Sequence, residues 1–232
     1  MTIHLSKRLE RIASFVEPGA RLADIGTDHA YIPIALAQAE MIAFAVASDI
    51  GAGPCAIARA NVANAGVQDR IVVRQADGLE GLRPEDGIDT VIIAGMGGQL
   101  MGDILTAGAA HLDGTETLIL EPNRDDYTVR AWLAAHEFGI LDEALLEDEG
   151  HVYPIIVAGQ TKPEVPYTEA DLILGPVLRQ KRSPLFLAQL DRLIATSQRV
   201  LAGMRQANSV SAEKVAAEAD RLAILQEVRD AR

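Results

Sequence analysis

The sequence predicts an α/β fold in which helices cover a mostly parallel sheet. From Arg21 to about Gly159, short runs rich in Val, Ile and Ala alternate with helical patterns, and this alternation is typical of parallel strands joined by helices. The chain has 232 residues, which is enough for one such core and a smaller second unit. We therefore expect a first domain over residues 1–160, and a linker with a helical appendage over residues 161–232.

Five strands and four helices are expected to alternate in the first domain. The strands are expected at Arg21–Gly26, Ala43–Asp49, Ile71–Ala76, Thr90–Ala94 and Thr117–Leu120. The helices are expected at Tyr31–Ala39, Pro54–Ala65, Gln99–Leu112 and Asp126–Phe138. This order predicts parallel pairing, because each strand is followed by a crossover helix.

The first domain ends with two extended runs, Ile140–Leu146 and Val152–Ala158, which the acidic sequence EDEGH separates. A connection this short joins antiparallel strands, so we expect a terminal hairpin at one edge of the sheet. Ahead of the first strand, apolar residues between Leu5 and Val16 recur at helical spacing and predict an amphipathic helix.

The appendage is expected to be a coiled-coil-like helical hairpin. A Pro-containing connector over residues 161–176 leads into a short helix. Beyond it, apolar residues follow three- and four-residue steps from Leu187 to Met204 and, less regularly, from Val215 to Leu225. The two helices would join near Gln206–Ser211, and the hairpin would serve either to stabilise the protein or to bind substrate.

Charge is distributed unevenly along the chain, whose formal net charge is -12. Residues 1–175 contain 11 Lys and Arg against 27 Asp and Glu, a net of -16, whereas residues 176–232 contain 10 against 6, a net of +4. Phosphate neutralisation supplies much of the affinity for nucleic acids, so an acidic first domain argues against that partner and a basic appendage for it. The appendage is either a polyanion-binding element or a solvated helical face.

Composition also bears on metals and membranes. Cys55 is the single cysteine, and the five histidines lack Cys or carboxylate partners at metal-ligand spacing, so no metal site is expected. The start of the chain lacks the apolar stretch of a signal peptide, and no segment has the roughly 18 apolar residues that span a bilayer. We expect a cytoplasmic protein with no membrane partner; a monomer is favoured, and an oligomer is left open.

The first strand ends in ADIGTDHAYIP, which indicates a small-molecule site. Gly26 permits a tight turn, and nearby backbone N–H groups and the following helix can receive a carboxylate. A dinucleotide-binding turn would carry glycines where this chain has Asp28 and Ala30. A carboxylate repels pyrophosphate, so this turn favours a ligand with a cationic or zwitterionic tail.

Acidic residues also end the next two strands. Asp49 can accept hydrogen bonds from ribose hydroxyls, and Asp77, beside Gly78, can accept one from the exocyclic amine of adenine. A single aspartate at such a position more often caps a helix or forms a turn. The series of three aspartates, beginning with Asp24, favours a binding site for a ligand that has both an adenosine and an amino group.

The last two parallel strands end in IAGMGGQL and LILEPNRDD. Gly95, Gly97 and Gly98 would leave room for a flat substrate, or would serve helix packing. Asn123 is expected at a strand exit, where it caps the next helix or contacts substrate.

With ADIGTDHAYIP, IAGMGG and LEPN in this order after an opening LSKRL, the sequence resembles the bacterial tRNA (adenine-22-N1)-methyltransferase family from residue 5 to about 159. The resemblance implies a class I Rossmann-like methyltransferase, S-adenosylmethionine as methyl donor, and N1 of one adenine in the D-arm region of tRNA as acceptor. The cofactor contacts expected are Asp24, Gly26, Thr27, Asp28, Asp49, Ile50, Asp77, Gly78, Ala94 and Gly95. The acceptor contacts expected are Asp28, His29, Tyr31, Met96, Gly97 and Asn123.

Three positions depart from the family pattern, which more often has Glu at Asp49, Gln at Glu121 and an acidic residue at Pro154. Six basic residues are expected to hold tRNA: Lys7, Arg8, Arg11, Arg179, Lys181 and Arg182. Two other functions stay open, a small-molecule methyltransferase and a non-catalytic interaction protein that retains a nucleotide-binding fold.

Overall fold

The computed structural model describes residues 3–207 and 210–231. The chain divides into two compact units, Met1–Pro166 and Tyr167–Arg232. The strands of the first unit are β1 Ala20–Ile25, β2 Ile42–Asp49, β3 Ile71–Gln75, β4 Thr90–Gly97, β5 Thr117–Arg124, β6 Gly139–Asp148 and β7 His151–Gly159. Its α-helices are α1 Lys7–Ala13, α2 Tyr31–Gln38, α3 Ala52–Ala65, α4 Gly98–Ala107 and α5 Asp126–Ala135.

The seven strands form one sheet in the order β3-β2-β1-β4-β5-β7-β6. The first five are parallel, and β7 runs antiparallel to both β5 and β6. The predicted α/β fold with a terminal antiparallel hairpin is confirmed. The strand order reverses between β1 and β4, and in open α/β sheets a ligand crevice lies beyond the carboxyl ends of the strands at this switch point.

Several predicted boundaries differ from those of the structure. β4 reaches Gly97 and β5 reaches Arg124, so Asn123 lies within a strand and not at its exit. The two strands stay paired beyond their apolar runs, with a register shift between Ala94 and Gly97, and glycines there gave no strand signal. The helix predicted to reach Leu112 ends at Ala107, and after the C-cap glycine a short 3₁₀ helix, Ala109–His111, continues the chain.

The core lies on both faces of the sheet because alternate strand residues point to opposite sides. On one face, Leu22 and Ile92 are buried with residues of α1, α2 and α3. On the other face, Ile25 and Ile93 are buried with residues of α4 and α5. The sheet is therefore covered on both sides, while its carboxyl edge carries the turns that line the site.

The second unit consists of helices α6 Glu169–Leu174, α7 Pro176–Lys181, α8 Pro184–Gln206 and α9 Ala212–Asp230. The connector therefore leads into two short helices, where one was predicted. Leu190 and Leu201 of α8 and Leu225 of α9 are buried, and Ser197 Oγ donates a 2.5 Å hydrogen bond to Glu218. The predicted connection over Gln206–Ser211 includes residues 208 and 209, which lie outside the described residues. Within the described ranges, no helix combines the length and apolarity needed to cross a membrane.

A buried ion pair attaches α5 to the sheet. Arg130 is fully buried, and its Nε donates a 2.8 Å hydrogen bond to the fully buried Glu143 of β6. We predict that Arg130→Met lowers the free energy of unfolding by about 3–5 kcal/mol, because it leaves a buried carboxylate without its counter-charge. Urea denaturation measures this loss. The variant Arg130→Met/Glu143→Leu should lose less; an equal or larger loss in the double variant would show that the unpaired charge is not the cause.

Candidate active site

A cleft of about 370 Å³ opens at the carboxyl ends of β1 and β4, at the switch point of the sheet. Its lining residues come from α1, β1 and the turn that follows it, α2, and β4. They are Arg8, Leu9, Asp24, Gly26, Thr27, Asp28, His29, Tyr31, Ile32, Ala94 and Gly95. Eight of these residues were predicted to contact cofactor or acceptor; Arg8 was predicted as a tRNA contact, and Leu9 and Ile32 were not predicted.

The turn after β1 is held against β2 by its backbone. The N–H groups of Gly26 and Thr27 both donate to the Ser48 carbonyl, at 2.8 and 2.9 Å. Gly26 has φ +75°, and a Cβ there would overlap Cε of Met96. Asp28 and Ala30 also adopt positive φ, at 23° and 59°. The chain thus keeps a glycine-like backbone at residues that carry side chains, which costs of order 1–3 kcal/mol each and is typical of functional sites.

Asp24 is a buried carboxylate in the wall of the cleft. Its side chain accepts a 2.5 Å hydrogen bond from Thr27 Oγ1, and the residue is only 8% exposed. Burial raises the pKa of Asp24 to about 6, against the opposing effect of the Thr27 hydrogen bond. A cationic group bound beside Asp24 would favour its ionised form, so this carboxylate is suited to an amine.

Asp49 and Asp77 lie farther along the same edge of the sheet and do not line the cleft. The Asp49 carboxylate accepts a 2.7 Å hydrogen bond from the Gly51 N–H, and its carbonyl accepts one from Ala76. Asp77 is exposed and precedes a short 3₁₀ helix, Gly78–Gly81. The two carboxylates therefore follow adjacent strands, and the exposed Ile50 lies beside the first.

His29 and Tyr31 form an aromatic pair at the mouth of the cleft. Their rings stack with centroids 4.9 Å apart, and His29 Nε2 lies 3.1 Å from the Asp28 carboxylate. His29 Nδ1 is buried and has no hydrogen-bond partner within the described part of the chain. Asn61 of α3 donates to the His29 carbonyl at 3.0 Å and so fixes the backbone beneath the ring.

The opposite wall contains a network that the sequence did not predict. Glu121 of β5 is fully buried and accepts hydrogen bonds from the Gly95 N–H at 2.9 Å and from Arg8 Nη1 at 3.2 Å. Asn123 donates to the Gly95 carbonyl at 2.7 Å and accepts from Arg8 at 3.2 Å. The opening LSKRL contains Arg8, but no local pattern links that arginine to a strand more than a hundred residues away.

The remaining predicted residues of the first unit do not line the cleft, although the Met96 side chain lies against Gly26. Met96 and Gly97 follow Gly95 in β4, and neither lines the cleft. Lys7 and Arg11 are exposed on α1, and the Arg11 guanidinium stacks on Phe15 at 4.5 Å.

In the second unit, the predicted tRNA contacts are engaged within the unit itself. Arg179 forms an ion pair with Asp171, and Arg182 Nη1 donates to the Val228 carbonyl at 2.8 Å. Lys181 also has an interaction within the structure. Charge reversal of these residues would therefore disturb the helices as well as any contact with RNA. Nowhere in residues 3–207 and 210–231 do three His, Cys, Asp or Glu side chains cluster as a metal site.

The strand order, the terminal antiparallel pair and the acidic residues at successive strand ends define a class I methyltransferase. The chain matches the family model described as tRNA (adenine(22)-N(1))-methyltransferase over residues 22–226. It is 35% identical over 234 residues to the tRNA (adenine(22)-N(1))-methyltransferase of Bacillus subtilis (strain 168), with 98% of each chain covered. The chain belongs to this family, and the resemblance found from the sequence motifs is confirmed.

Solved structures agree with this assignment. The crystal structure of the B. subtilis M1A22 tRNA methyltransferase TrmK has a TM-score of 0.92 at 35% identity, covering 98% of this chain and 100% of that one. TrmK of M. capricolum, solved with S-adenosyl-homocysteine, has a TM-score of 0.84 at 28% identity, covering 97% of this chain and 98% of that one.

We predict opposite effects of Asp24→Asn on stability and on cofactor binding. The pKa of Asp24 is raised in the folded state, so the protonated carboxyl stabilises the folded protein. This contribution is complete below about pH 4 and is lost as the pH rises through about 6. A rise from 3.8 to about 6 corresponds to about 3 kcal/mol. At pH 8 the ligand-free variant should therefore unfold at higher urea concentration than wild type, and calorimetry should show weaker S-adenosylmethionine binding.

The exposed Asp69→Asn is the matched control and should change neither property. If Asp24→Asn binds the cofactor as tightly as wild type, Asp24 does not contact the amine.

Proposed function

We propose that this chain transfers the methyl group of S-adenosylmethionine to N1 of adenine 22 in the D-arm region of tRNA, and that it does so in the cytoplasm. The observation that carries the proposal is the cleft at the β1–β4 switch point. The buried carboxylate of Asp24 and the stacked rings of His29 and Tyr31 line this cleft, and the chain belongs to this family. The acidic residues along the sheet edge supply the hydrogen-bond acceptors that an adenosine with a cationic tail requires.

The chemistry of these acceptors fits S-adenosylmethionine. Asp24 would bind the amine, Asp49 the ribose hydroxyls and Asp77 the exocyclic amine of adenine. The backbone at Gly95 leaves room for close approach, because an added Cβ there would meet no atom nearer than Arg8 Nη1 at 3.9 Å. When bound, S-adenosylmethionine supplies a methyl group activated by a sulfonium centre.

The residues at the mouth of the cleft would position the acceptor base. Neutral adenine N1 already has a lone pair, so the protein need not remove a proton to create the nucleophile, and its main task is alignment. Tyr31 is 39% exposed beside His29, and this pair would stack against the base. The Asp28 carboxylate would accept a hydrogen bond from the adenine amine and stabilise the positive charge that develops on the base.

The acceptor atom lies on the Watson–Crick edge, so adenine 22 must be unpaired or flipped out of its helix before it enters the cleft. The tRNA body would contact Lys7 and Arg11 on the exposed face of α1 and the basic second unit. Binding should weaken with added salt, because each phosphate contact releases a counterion.

The reaction is tested with purified protein, labelled S-adenosylmethionine and unmodified tRNA from a cell that lacks this activity. Nuclease digestion and mass spectrometry should locate one 1-methyladenosine at position 22, and a tRNA transcript with guanosine at that position should stay unlabelled. If RNA stays unlabelled although the cofactor binds, the tRNA proposal fails and small-molecule acceptors become the better hypothesis.

We predict that Asp28→Asn lowers kcat by about 10²-fold, because the charge that stabilises the transition state is lost while the shape of the side chain is kept. Single-turnover rates with saturating tRNA measure the change. S-adenosyl-homocysteine, which has no transferable methyl group, should bind the variant with little change in affinity. An unchanged rate would remove Asp28 from the catalytic residues.

A further inference from the structure

Gly95 is held on both sides by side chains of the neighbouring strand. Its N–H donates to Glu121 and its carbonyl accepts from Asn123, at 2.9 and 2.7 Å. Gly95 has φ +76° and lies where the pairing of β4 with β5 shifts register, so the ordinary strand pattern does not fix its conformation. The two side chains of β5 therefore determine how this part of the cleft wall is shaped.

Arg8 connects these two side chains from helix α1. Its Nη1 lies 3.2 Å from both Glu121 Oε2 and Asn123 Oδ1, and its guanidinium carbon is 5.2 Å from the centre of the Tyr153 ring. Glu121 is fully buried, and its other oxygen, Oε1, has no hydrogen-bond partner in the portion of the chain that is described. The carboxylate thus depends on Arg8 for its counter-charge.

The pair also decides the charge of the cleft wall. Glu121 by itself would be a buried carboxylate without a partner, and burial already raises its pKa against the effect of Arg8. Together the two groups fix the turn and add no net charge.

We propose that Arg8 and Glu121 are positioning residues for the acceptor adenine, which they serve by holding the Gly95 turn with a neutralised ion pair. This inference rests on the proposed function, because the acceptor it concerns is the adenine of that reaction. It assigns Arg8 a role different from that of the exposed Lys7 and Arg11 on the same helix, which face solvent and are suited to phosphate.

A double-mutant cycle tests the coupling. Arg8→Gln should lower kcat by about tenfold or more, with little change in the KM for tRNA, because it leaves the buried Glu121 carboxylate uncompensated. Glu121→Gln introduces the residue that the family more often has at this position, so it should lower kcat less than Arg8→Gln does. The double variant Arg8→Gln/Glu121→Gln removes both charges and retains groups able to hydrogen bond, so its kcat should exceed the product of the single effects by about tenfold. Additive effects would overturn the proposal.

Lys7→Gln is the comparison for a phosphate contact, since it removes the same charge from the same helix. It should raise the KM for tRNA and lessen the salt dependence of binding, as expected when one phosphate contact is lost. If Arg8→Gln gives this same pattern and leaves kcat unchanged, Arg8 is a tRNA contact and the proposal is wrong.

A measurement without RNA separates this inference from the proposed function. In the ligand-free, isotope-labelled protein, the amide chemical shift of Gly95 reports its hydrogen bond to Glu121. Arg8→Gln should move the pH transition of this shift to higher pH than in wild type, because the buried carboxyl loses the counter-charge that lowers its pKa. The double variant should lack that transition.

Other titratable groups in the cleft are Asp24 of β1, Asp28 and His29 of the following turn, and Tyr31 of α2, while Tyr153 of β7 lies beside Arg8. Their ionisation affects all four proteins of the cycle, so only a transition that moves to higher pH in Arg8→Gln and is absent from the double variant counts. If the transition does not move, Arg8 does not control the Glu121 carboxyl, and the inference fails whether or not wild type methylates tRNA. If the transition moves and wild type does not methylate tRNA, the proposed function fails, and with it the assignment of the adenine.

Discussion

A carboxylate buried at the end of a central strand is the interaction on which the candidate site depends. Asp24 lies in β1, between β2 and β4, where the strand order reverses and the carboxyl edge of the sheet is left open. Burial makes its ionised form costly, as the raised pKa shows. A cationic ligand would offset that cost and a pyrophosphate would increase it, so we expect this one residue to favour S-adenosylmethionine over a dinucleotide.

The rest of the site follows from how the chain leaves the sheet at this edge. The turn after β1 uses positive φ at Gly26 and also at Asp28 and Ala30, which places the Asp28 and His29 side chains at the mouth of the cleft. β4 departs from regular pairing at Gly95, and the side chains of β5 hold it there. The two walls of the cleft are thus built from irregular backbone that the packed sheet supports.

The sequence predicted the features that depend on local patterns. Runs rich in Val, Ile and Ala and two further extended runs located all seven strands, and the acidic residues Asp24, Asp49 and Asp77 lie at or just after the ends of β1, β2 and β3 as expected. The predicted strands β4 and β5 end too early. Glycine and proline give no strand signal, but the pairing of the two strands continues through them.

Contacts between distant parts of the chain could not be predicted in this way. Arg8 was grouped with Lys7 and Arg11 because all three are basic residues of one helix, yet it alone reaches the buried carboxylate of Glu121. Arg179 was likewise chosen for its charge, and the structure pairs it with Asp171 inside the second unit. Charge and spacing identify such residues, but only the fold decides which of them face solvent.

A crystal structure of this chain with S-adenosyl-homocysteine tests most directly whether Asp24 and the acidic edge of the sheet define the site. The amine of the ligand is expected within hydrogen-bonding distance of Asp24, and its ribose hydroxyls within the same distance of the Asp49 carboxylate. A ligand that binds outside the β1–β4 cleft, or with its amine turned away from Asp24, would contradict the assignment of the cleft and of its selectivity.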